Sequence, residues 1–284
     1  MTELDTLSLA YSPCPNDTYI FAAWTRGMLP GAPPVNVVLD DVEALNVAAR
    51  QGRFALTKVS YGAIPYLIEN YRILRAGGAL GRGCGPLVVA KPRPDGSVPA
   101  LTDLQRHVRI AIPGEMTTAF LLLRLAFGRP IDVFVMRFDE IVSAVAQGNV
   151  DAGLIIHESR FTYHASGLAE VADLGAWWEA ETGHPIPLGA ILVRRDVPAS
   201  AARQIDETIR ESLAFARAHD AAVAPYVRAH AFEMDEGVMR AHIGLYVNEY
   251  SVDIGDAGIA AVATLFELAA ARGLIPATAT PEFV

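Results

Sequence analysis

Val35-Asn-Val-Val-Leu-Asp-Asp-Val-Glu-Ala-Leu-Asn-Val-Ala-Ala-Arg-Gln-Gly52 and Ile131-Asp-Val-Phe-Val-Met-Arg-Phe-Asp-Glu-Ile-Val-Ser-Ala-Val-Ala-Gln-Gly148 are the two stretches that decide the fold. Aligned without gaps, each reads as an apolar strand, an acidic residue (Glu43, Asp139) and an amphipathic helix. Each ends in Gln-Gly, where glycine can take the left-handed conformation that closes a helix. A second apolar strand follows each, Phe54–Val59 and Val150–Ile156, and both run into a polar group, Ser60 and His157.

The similarity also runs backwards. Leu7–Tyr11 leads through Ser12-Pro-Cys-Pro-Asn-Asp-Thr18 into an apolar helix start, and Val108–Ile112 leads through Pro113-Gly-Glu-Met-Thr-Thr118 into another. Such turns place helix N-termini, with their free N–H groups, beside strand ends. One strand–helix–strand match is ordinary in an α/β protein, whereas two in the same order predict two similar lobes. Pro86–Pro94 leaves the first lobe and Pro187–Arg195 returns to it, as a pair of crossover strands. From about Pro198 onward the chain is alanine-rich, with helices expected over Ala201–His219 and Val252–Gly273. The expected architecture is a bilobal α/β protein. Residues 1–90 and 195–284 form a larger, discontinuous lobe, and residues 91–194 form a smaller one.

Composition narrows the function classes. The chain has 284 residues, 52% of them hydrophobic and 19% charged, which is enough for a sizeable core. A net charge of −9 without a Lys/Arg cluster speaks against a nucleic-acid partner. No run reaches the roughly 18 apolar residues of a membrane span, so no membrane partner is expected. Met1–Tyr11 has two acids, no bases and only a short apolar stretch. It does not read as a signal peptide, and a cytoplasmic location is expected. Two cysteines, Cys14 and Cys84, are too few for a disulfide scaffold. Oligomeric state is not legible.

Four segments converge on the cleft between such lobes: Ser12–Thr18, Lys58–Tyr61, Thr117–Thr118 and His157–Arg160. His157 closes an apolar strand and can exchange a proton near neutral pH. It reads as a base at the carboxyl end of a strand, where α/β proteins collect their sites, or as a cap bonding a loop carbonyl. Lys58, inside an apolar strand, either meets an anionic ligand or snorkels to water, because an unpaired buried ammonium is costly. Thr117-Thr118 reads either as a plain helix cap or, as the counterpart of Asn16-Asp17 in the other lobe, as a cap that also contacts ligand. Cys14 is expected to be a buried free thiol, Gly81–Gly85 a tight backbone passage, and Trp177-Trp178 cleft wall or core. Glu158 is expected to face away from His157, since strand neighbours point to opposite faces. His157-Glu158 lacks the second histidine of an HExxH site, and no metal is expected.

Ser12-Pro-Cys-Pro-Asn-Asp-Thr18, Lys58-Val-Ser-Tyr-Gly62, Gly81-Arg-Gly-Cys-Gly-Pro86, His157-Glu-Ser-Arg-Phe-Thr-Tyr163, Pro187-Leu-Gly189 and Tyr246-Val-Asn-Glu-Tyr-Ser251 together resemble the 1,4-dihydroxy-6-naphthoate synthases of the futalosine route to menaquinone. The resemblance spans essentially the whole chain. It implies the type II periplasmic-binding-protein fold and a cofactor-free carbon–carbon lyase. Cyclic dehypoxanthine futalosine would be converted to 1,4-dihydroxy-6-naphthoate and dihydroxyacetone. It further implies His157 as general base, Lys58, Val59 and Ser60 as a substrate-binding stretch, and Thr117–Thr118 as the second lobe's contact. Asn16 joins them from the first lobe. The expected partner is a small substrate bearing a carboxylate. Two other readings stand beside this one: a non-catalytic solute-binding protein for a carboxylate ligand, and the chorismate dehydratase of the same pathway.

Overall fold

The computed structural model describes residues 6–105, 108–128, 130–232, 235–277 and 280–284, so the first five residues of the N-terminal stretch lie outside it. Chain order begins β1 (Leu7–Tyr11), α1 (Pro15–Thr25), β2 (Val35–Leu39), α2 (Val42–Arg50), β3 (Leu56–Ser60), β4 (Tyr71–Ile73) and β5 (Ala79–Gly81). It continues with β6 (Leu87–Ala90), β7 (Ile110–Ile112), α3 (Thr118–Phe127), β8 (Val133–Val135), α4 (Phe138–Gln147), β9 (Ala152–Ile155), β10 (Ala169–Asp173) and β11 (Ile186–Arg194). Helices dominate the remainder, including Ala199–Ala218, Glu236–Tyr246 and Gly255–Ala271.

Two sheets result. The first has the order β2-β1-β3-β11-β4 with β5 also on β11, and the second has β10-β6-β9-β7-β8. The repeat is now visible as topology. β1 lies between parallel β2 and β3, and β7 lies between parallel β8 and β9. An antiparallel strand then borders each trio, β11 on β3 and β6 on β9. Gly52 (φ 63°) and Gly148 (φ 79°) adopt the left-handed conformation expected where α2 and α4 end. This is the bilobal α/β architecture the sequence pointed to.

The two Pro-flanked stretches are the strands at which the chain changes sheet. β6 belongs to the second sheet and β11 to the first, so sheet membership changes between β5 and β6 and just before β11. The boundaries drawn at 90/91 and 194/195 therefore lie one strand later than the sheet changes. Neither strand alternates apolar with polar residues, and without alternation the sequence does not say which sheet a strand joins.

The two sheet changes run very close to each other. A Cβ on Gly85 would sit 2.3 Å from Gly175, so the Gly81–Gly85 segment is a tight passage that glycine alone permits. Trp178 is fully buried, with its indole N–H donating to the Pro185 carbonyl, and belongs to the core. One core cluster runs through both sheets, joining Val59, Tyr61 and Ile73 to Val88, Ile110 and Leu154. The lobes are thus packed together rather than splayed.

Candidate functional site

Strand ends and helix starts from both sheets meet around one cavity. It is lined by Ser12, Asn16, Asp17, Lys58, Val59, Ser60, Cys84, Thr117, Thr118, Ala119, His157, Gly189, His242 and Tyr246, among others. All seven residues singled out in the sequence, Asn16, Lys58, Val59, Ser60, Thr117, Thr118 and His157, are on this wall.

The first-lobe side is a hydrogen-bond network centred on Asp17. Asp17, in the first turn of α1, accepts from the Ser12 hydroxyl at 2.7 Å and from the Asn16 amide at 2.9 Å. The Lys58 ammonium lies 2.9 Å from the same carboxylate and also donates to the Gly77 carbonyl at 2.9 Å. Lys58 is 5% exposed and Asp17 2%, so this ion pair is buried. Snorkelling is ruled out, and the free cation for an anionic ligand is spent on Asp17. Lone burial of either charge would be costly, which is why they come as a pair. Two residues on, Asn46 grips Ser60: its amide oxygen accepts from the Ser60 N–H at 2.9 Å and its NH₂ donates to the Ser60 hydroxyl at 3.2 Å. The Ser60 hydroxyl thereby accepts one bond and keeps its own proton for the cavity.

Of the second-lobe threonines, Thr117 is the helix cap the sequence pointed to, and Thr118 bonds across to the other lobe. Thr117 caps α3, accepting from the Phe120 N–H and donating to the Gly114 carbonyl. Thr118 accepts from the Gly62 N–H at 3.1 Å and donates to the Leu188 carbonyl at 2.7 Å, bonding across to the first sheet's side. Both hydroxyls are thus committed within the protein. What α3 offers the cavity is its first backbone N–H groups, at Thr118 and Ala119, which have no partner within the helix. The dipole at a helix N-terminus favours an anion there.

His157 has φ 57°, the one non-glycine residue at positive φ among those described. The left-handed conformation costs a side chain of this type roughly 1–3 kcal/mol and is held where surroundings over-determine it. Its consequence is geometric. β9 stops at Ile155, and the kink at His157 breaks the alternation that would have sent Glu158 to the far face. Donor atoms of Cys14, His157 and Glu158 instead lie within 4.8 Å of one another. The expectation that Glu158 faces away is corrected, and Glu158 is only 4% exposed. The imidazole packs edge-on against Phe138, with ring centroids 4.9 Å apart, and its buried Nε2 has no hydrogen-bond partner among the described residues.

Sulfur, nitrogen and carboxylate oxygen together are a donor set for a soft divalent metal. Here, however, the Cys14 thiol is pushed well up, first by burial and then by the Glu158 carboxylate, so the thiolate a metal needs is disfavoured. Although Cys14 stands at the start of α1, burial outweighs the helix end. Cys84, also lining the cavity, is pushed up to about 12, chiefly by burial. Both cysteines are free.

Arg160 of the His-Glu-Ser-Arg run turns away from the cavity. It bonds the Gly85 carbonyl and pairs with Asp173 at 2.8 Å, anchoring the post-His157 turn to the chain crossover. One cavity residue, His242, escaped the sequence reading, and Tyr246 entered it only as the first residue of a motif; they lie one turn apart on one face of the helix Glu236–Tyr246. His242 is fully buried, and its Nε2 lies 2.9 Å from the Asn16 amide oxygen. Its ring is 6.3 Å from the His157 ring and nearly parallel to it, at 24°. Burial first, and then His157, holds its pKa well below the ordinary histidine value. The only signal available was a histidine on the apolar face of a helix, four residues before a tyrosine.

The sequence profile of a family described as menaquinone biosynthesis matches residues 7–271. A 1,4-dihydroxy-6-naphthoate synthase of Thermus thermophilus is 50% identical over 281 residues, 99% of this chain and all of that one. Its namesake in Streptomyces coelicolor is 46% identical over 278 residues, 96% of each chain. Among solved structures, a structural-genomics protein of Archaeoglobus fulgidus superposes with a TM-score of 0.88 at 36% identity, covering 95% of this chain and 98% of that one. An alkanesulfonate-binding protein of Xanthomonas axonopodis, solved with a buffer molecule bound, reaches a TM-score of 0.70 at 15% identity over 97% and 96% of the two chains. That last likeness is one of fold, and the fold is that of periplasmic binding proteins.

Proposed function

This chain belongs to the menaquinone-biosynthesis family, and from that premise we propose that it is a carbon–carbon lyase. It turns cyclic dehypoxanthine futalosine into 1,4-dihydroxy-6-naphthoate and dihydroxyacetone. The observation that carries the reading is His157, placed at the cavity wall in a strained left-handed conformation that aims a base where a passive carrier needs none. Its buried nitrogen without a protein partner suits an atom that takes a proton from substrate. Aromatisation of the product supplies the driving force. The protein's task is then to position the substrate, remove a proton and support developing negative charge on oxygen.

In this reading the Ser60 hydroxyl is the oxyanion donor, since its lone pair is engaged by Asn46 and its proton is not. The substrate carboxylate docks at the start of α3, against the Thr118 and Ala119 N–H groups, because Lys58 is already neutralised by Asp17. Asn16 and Val59 complete the first-lobe wall. Chemistry by His157 and Ser60 alone calls for no cofactor. Buried free thiols at Cys14 and Cys84 suit a reducing compartment, the cytoplasm. No helix of the described residues is long and apolar enough to cross a membrane.

The test is to mix purified protein with the cyclic futalosine derivative and follow the naphthoate absorbance as dihydroxyacetone is released. Turnover is expected. Saturable binding without product would leave a carrier of the binding-protein type, and turnover of chorismate instead would reassign the substrate.

A further inference from the structure

His242 is the buried cavity residue that the proposed chemistry has not used. Its tautomer follows from its neighbours. The Asp17 carboxylate can only accept, so the Asn16 NH₂ is the group that faces it at 2.9 Å. That fixes the Asn16 amide with its oxygen toward His242 Nε2, also at 2.9 Å. An amide oxygen accepts, so Nε2 must carry the ring proton. In a neutral ring, Nδ1 then holds a bare lone pair. That atom is buried, and no described residue supplies it with a hydrogen bond.

A buried acceptor left unsatisfied is a cost that folded proteins seldom carry without a reason. Two further facts bear on the reason. His242 forms part of the cavity wall, and its ring lies nearly parallel to that of His157, 6.3 Å away, with an unpartnered buried nitrogen on each ring. The chain Lys58–Asp17–Asn16–His242 runs from the buried ammonium to that lone pair, every link at 2.9 Å. It holds the imidazole in one orientation and one tautomer, as a fixed acceptor.

We propose that His242 Nδ1 is a substrate-binding acceptor: it takes a hydrogen bond from a ligand O–H in the cavity, opposite the base His157. The identity of the ligand rests on the lyase reading, in which the donor is a hydroxyl of the cyclic polyol substrate. The acceptor itself rests on the network. The two histidines divide the work, with His157 as the base of the lyase reading and His242 as a neutral acceptor. Groups facing His242 are Asn16 from α1, His157 and Phe161 from the segment after β9, and Tyr246 one turn along its own helix. Of these, His157 is the one whose charge opposes protonation of His242.

Nitrogen-15 NMR of the free protein reads the tautomer without any ligand. A proton on Nε2 and none on Nδ1, unchanged as pH is lowered below 6.5, is expected, and a proton on Nδ1 would overturn the assignment. Since that measurement needs no turnover, its failure is separate from failure of the lyase reading. Adding 1,4-dihydroxy-6-naphthoate should shift the Nδ1 resonance toward that of a hydrogen-bonded acceptor only if a product hydroxyl is the donor. Substitutions then separate binding from structure. His242→Gln keeps a donor for Asn16 and loses the acceptor, so kcat/KM should fall about 5- to 150-fold, the effect of stranding a ligand hydroxyl. His242→Asn keeps an oxygen near the Nδ1 position and should fall less, despite losing the Asn16 bond. A structural role alone would reverse that order, or leave kcat/KM of the glutamine variant at the wild-type value, and either result overturns the proposal. Stability gives an independent check. Folded His242 resists protonation that the unfolded chain accepts below about 6.5, so wild-type stability should decline as pH falls below that value. His242→Gln should flatten the decline.

Discussion

The two βαβαβ units share a strand order and differ in how the third strand ends. β3 stays regular through Ser60, and its polar residues Lys58 and Ser60 are tied to Asp17 and Asn46. β9 stops short, and His157 kinks into the left-handed region with its Nε2 unpaired among the described residues. The acids that matched in sequence diverge in the same way. Glu43 reaches across to accept from the Met116 N–H at 3.0 Å, whereas its counterpart Asp139 pairs locally with Arg137 at the surface. The two copies of one scaffold thus differ: the first ties Lys58 and Ser60 into hydrogen bonds, and the second carries His157 in the left-handed conformation. Backbone strain of this kind is held only where the surroundings over-determine it, and the described residues of the first copy include no non-glycine residue at positive φ.

The sharpest way to break this contrast is at His157. His157→Asn removes the base but retains a side chain that tolerates positive φ. kcat should fall about 10²- to 10⁴-fold, while the thermal midpoint stays at or above the wild-type value. If turnover survives, the base lies elsewhere. If instead stability collapses with activity, the histidine was holding structure and the two copies are less different than they look.

The first copy should respond in the opposite sense, through stability. Lys58→Met strands the Asp17 carboxylate in a site that is 2% exposed. Breaking one side of a buried pair costs about 3–5 kcal/mol, which urea unfolding would measure. Lys58→Met combined with Asp17→Asn should recover much of the loss. If the single substitution is harmless, the network does not hold the first copy as described.

This asymmetry also explains what could be read from sequence. The repeat was legible because hydrophobic period and Gln-Gly stops recur in the same order, and parallel β2-β1-β3 and β8-β7-β9 followed from it. His157, Lys58 and Ser60 were legible because polar residues ending apolar strands stand out. The role of Lys58 was not, since its partner Asp17 comes from another strand–helix turn and pairing is a three-dimensional fact. Glu158 was misplaced because alternation presumes an extended backbone, and no feature of Ile-His-Glu announces a left-handed histidine. His242 was invisible for a simpler reason: a histidine on an apolar helix face reads as core until the opposing Asn16 is known.

The smallest effect expected concerns the acid that crosses between copies, and with it the motion of the lobes. Glu43 accepts from Met116 N–H in the second copy and from Asn46 in the first, and Thr118 bonds Gly62 and Leu188 beside it. A Cβ on Gly114 would meet the Glu43 side chain at 2.3 Å, so the two surfaces are in tight apposition there. Burial raises the Glu43 carboxyl above the usual range, as suits a latch shielded from water in the closed form. We take the lobes to part at this edge for substrate to enter and to close over it, excluding water from the reactive intermediate. Glu43→Ala removes the latch but none of the groups assigned to binding or chemistry. It forfeits hydrogen bonding worth about 0.5–1.5 kcal/mol, so KM should rise about 2- to 10-fold with kcat near wild type at saturation. Small-angle scattering should show a larger radius of gyration for the free variant than for the free wild type, with both converging when product is added. Identical radii in all four samples, together with an unchanged KM, would mean that the cavity is preformed and that Glu43 is packing, not a latch.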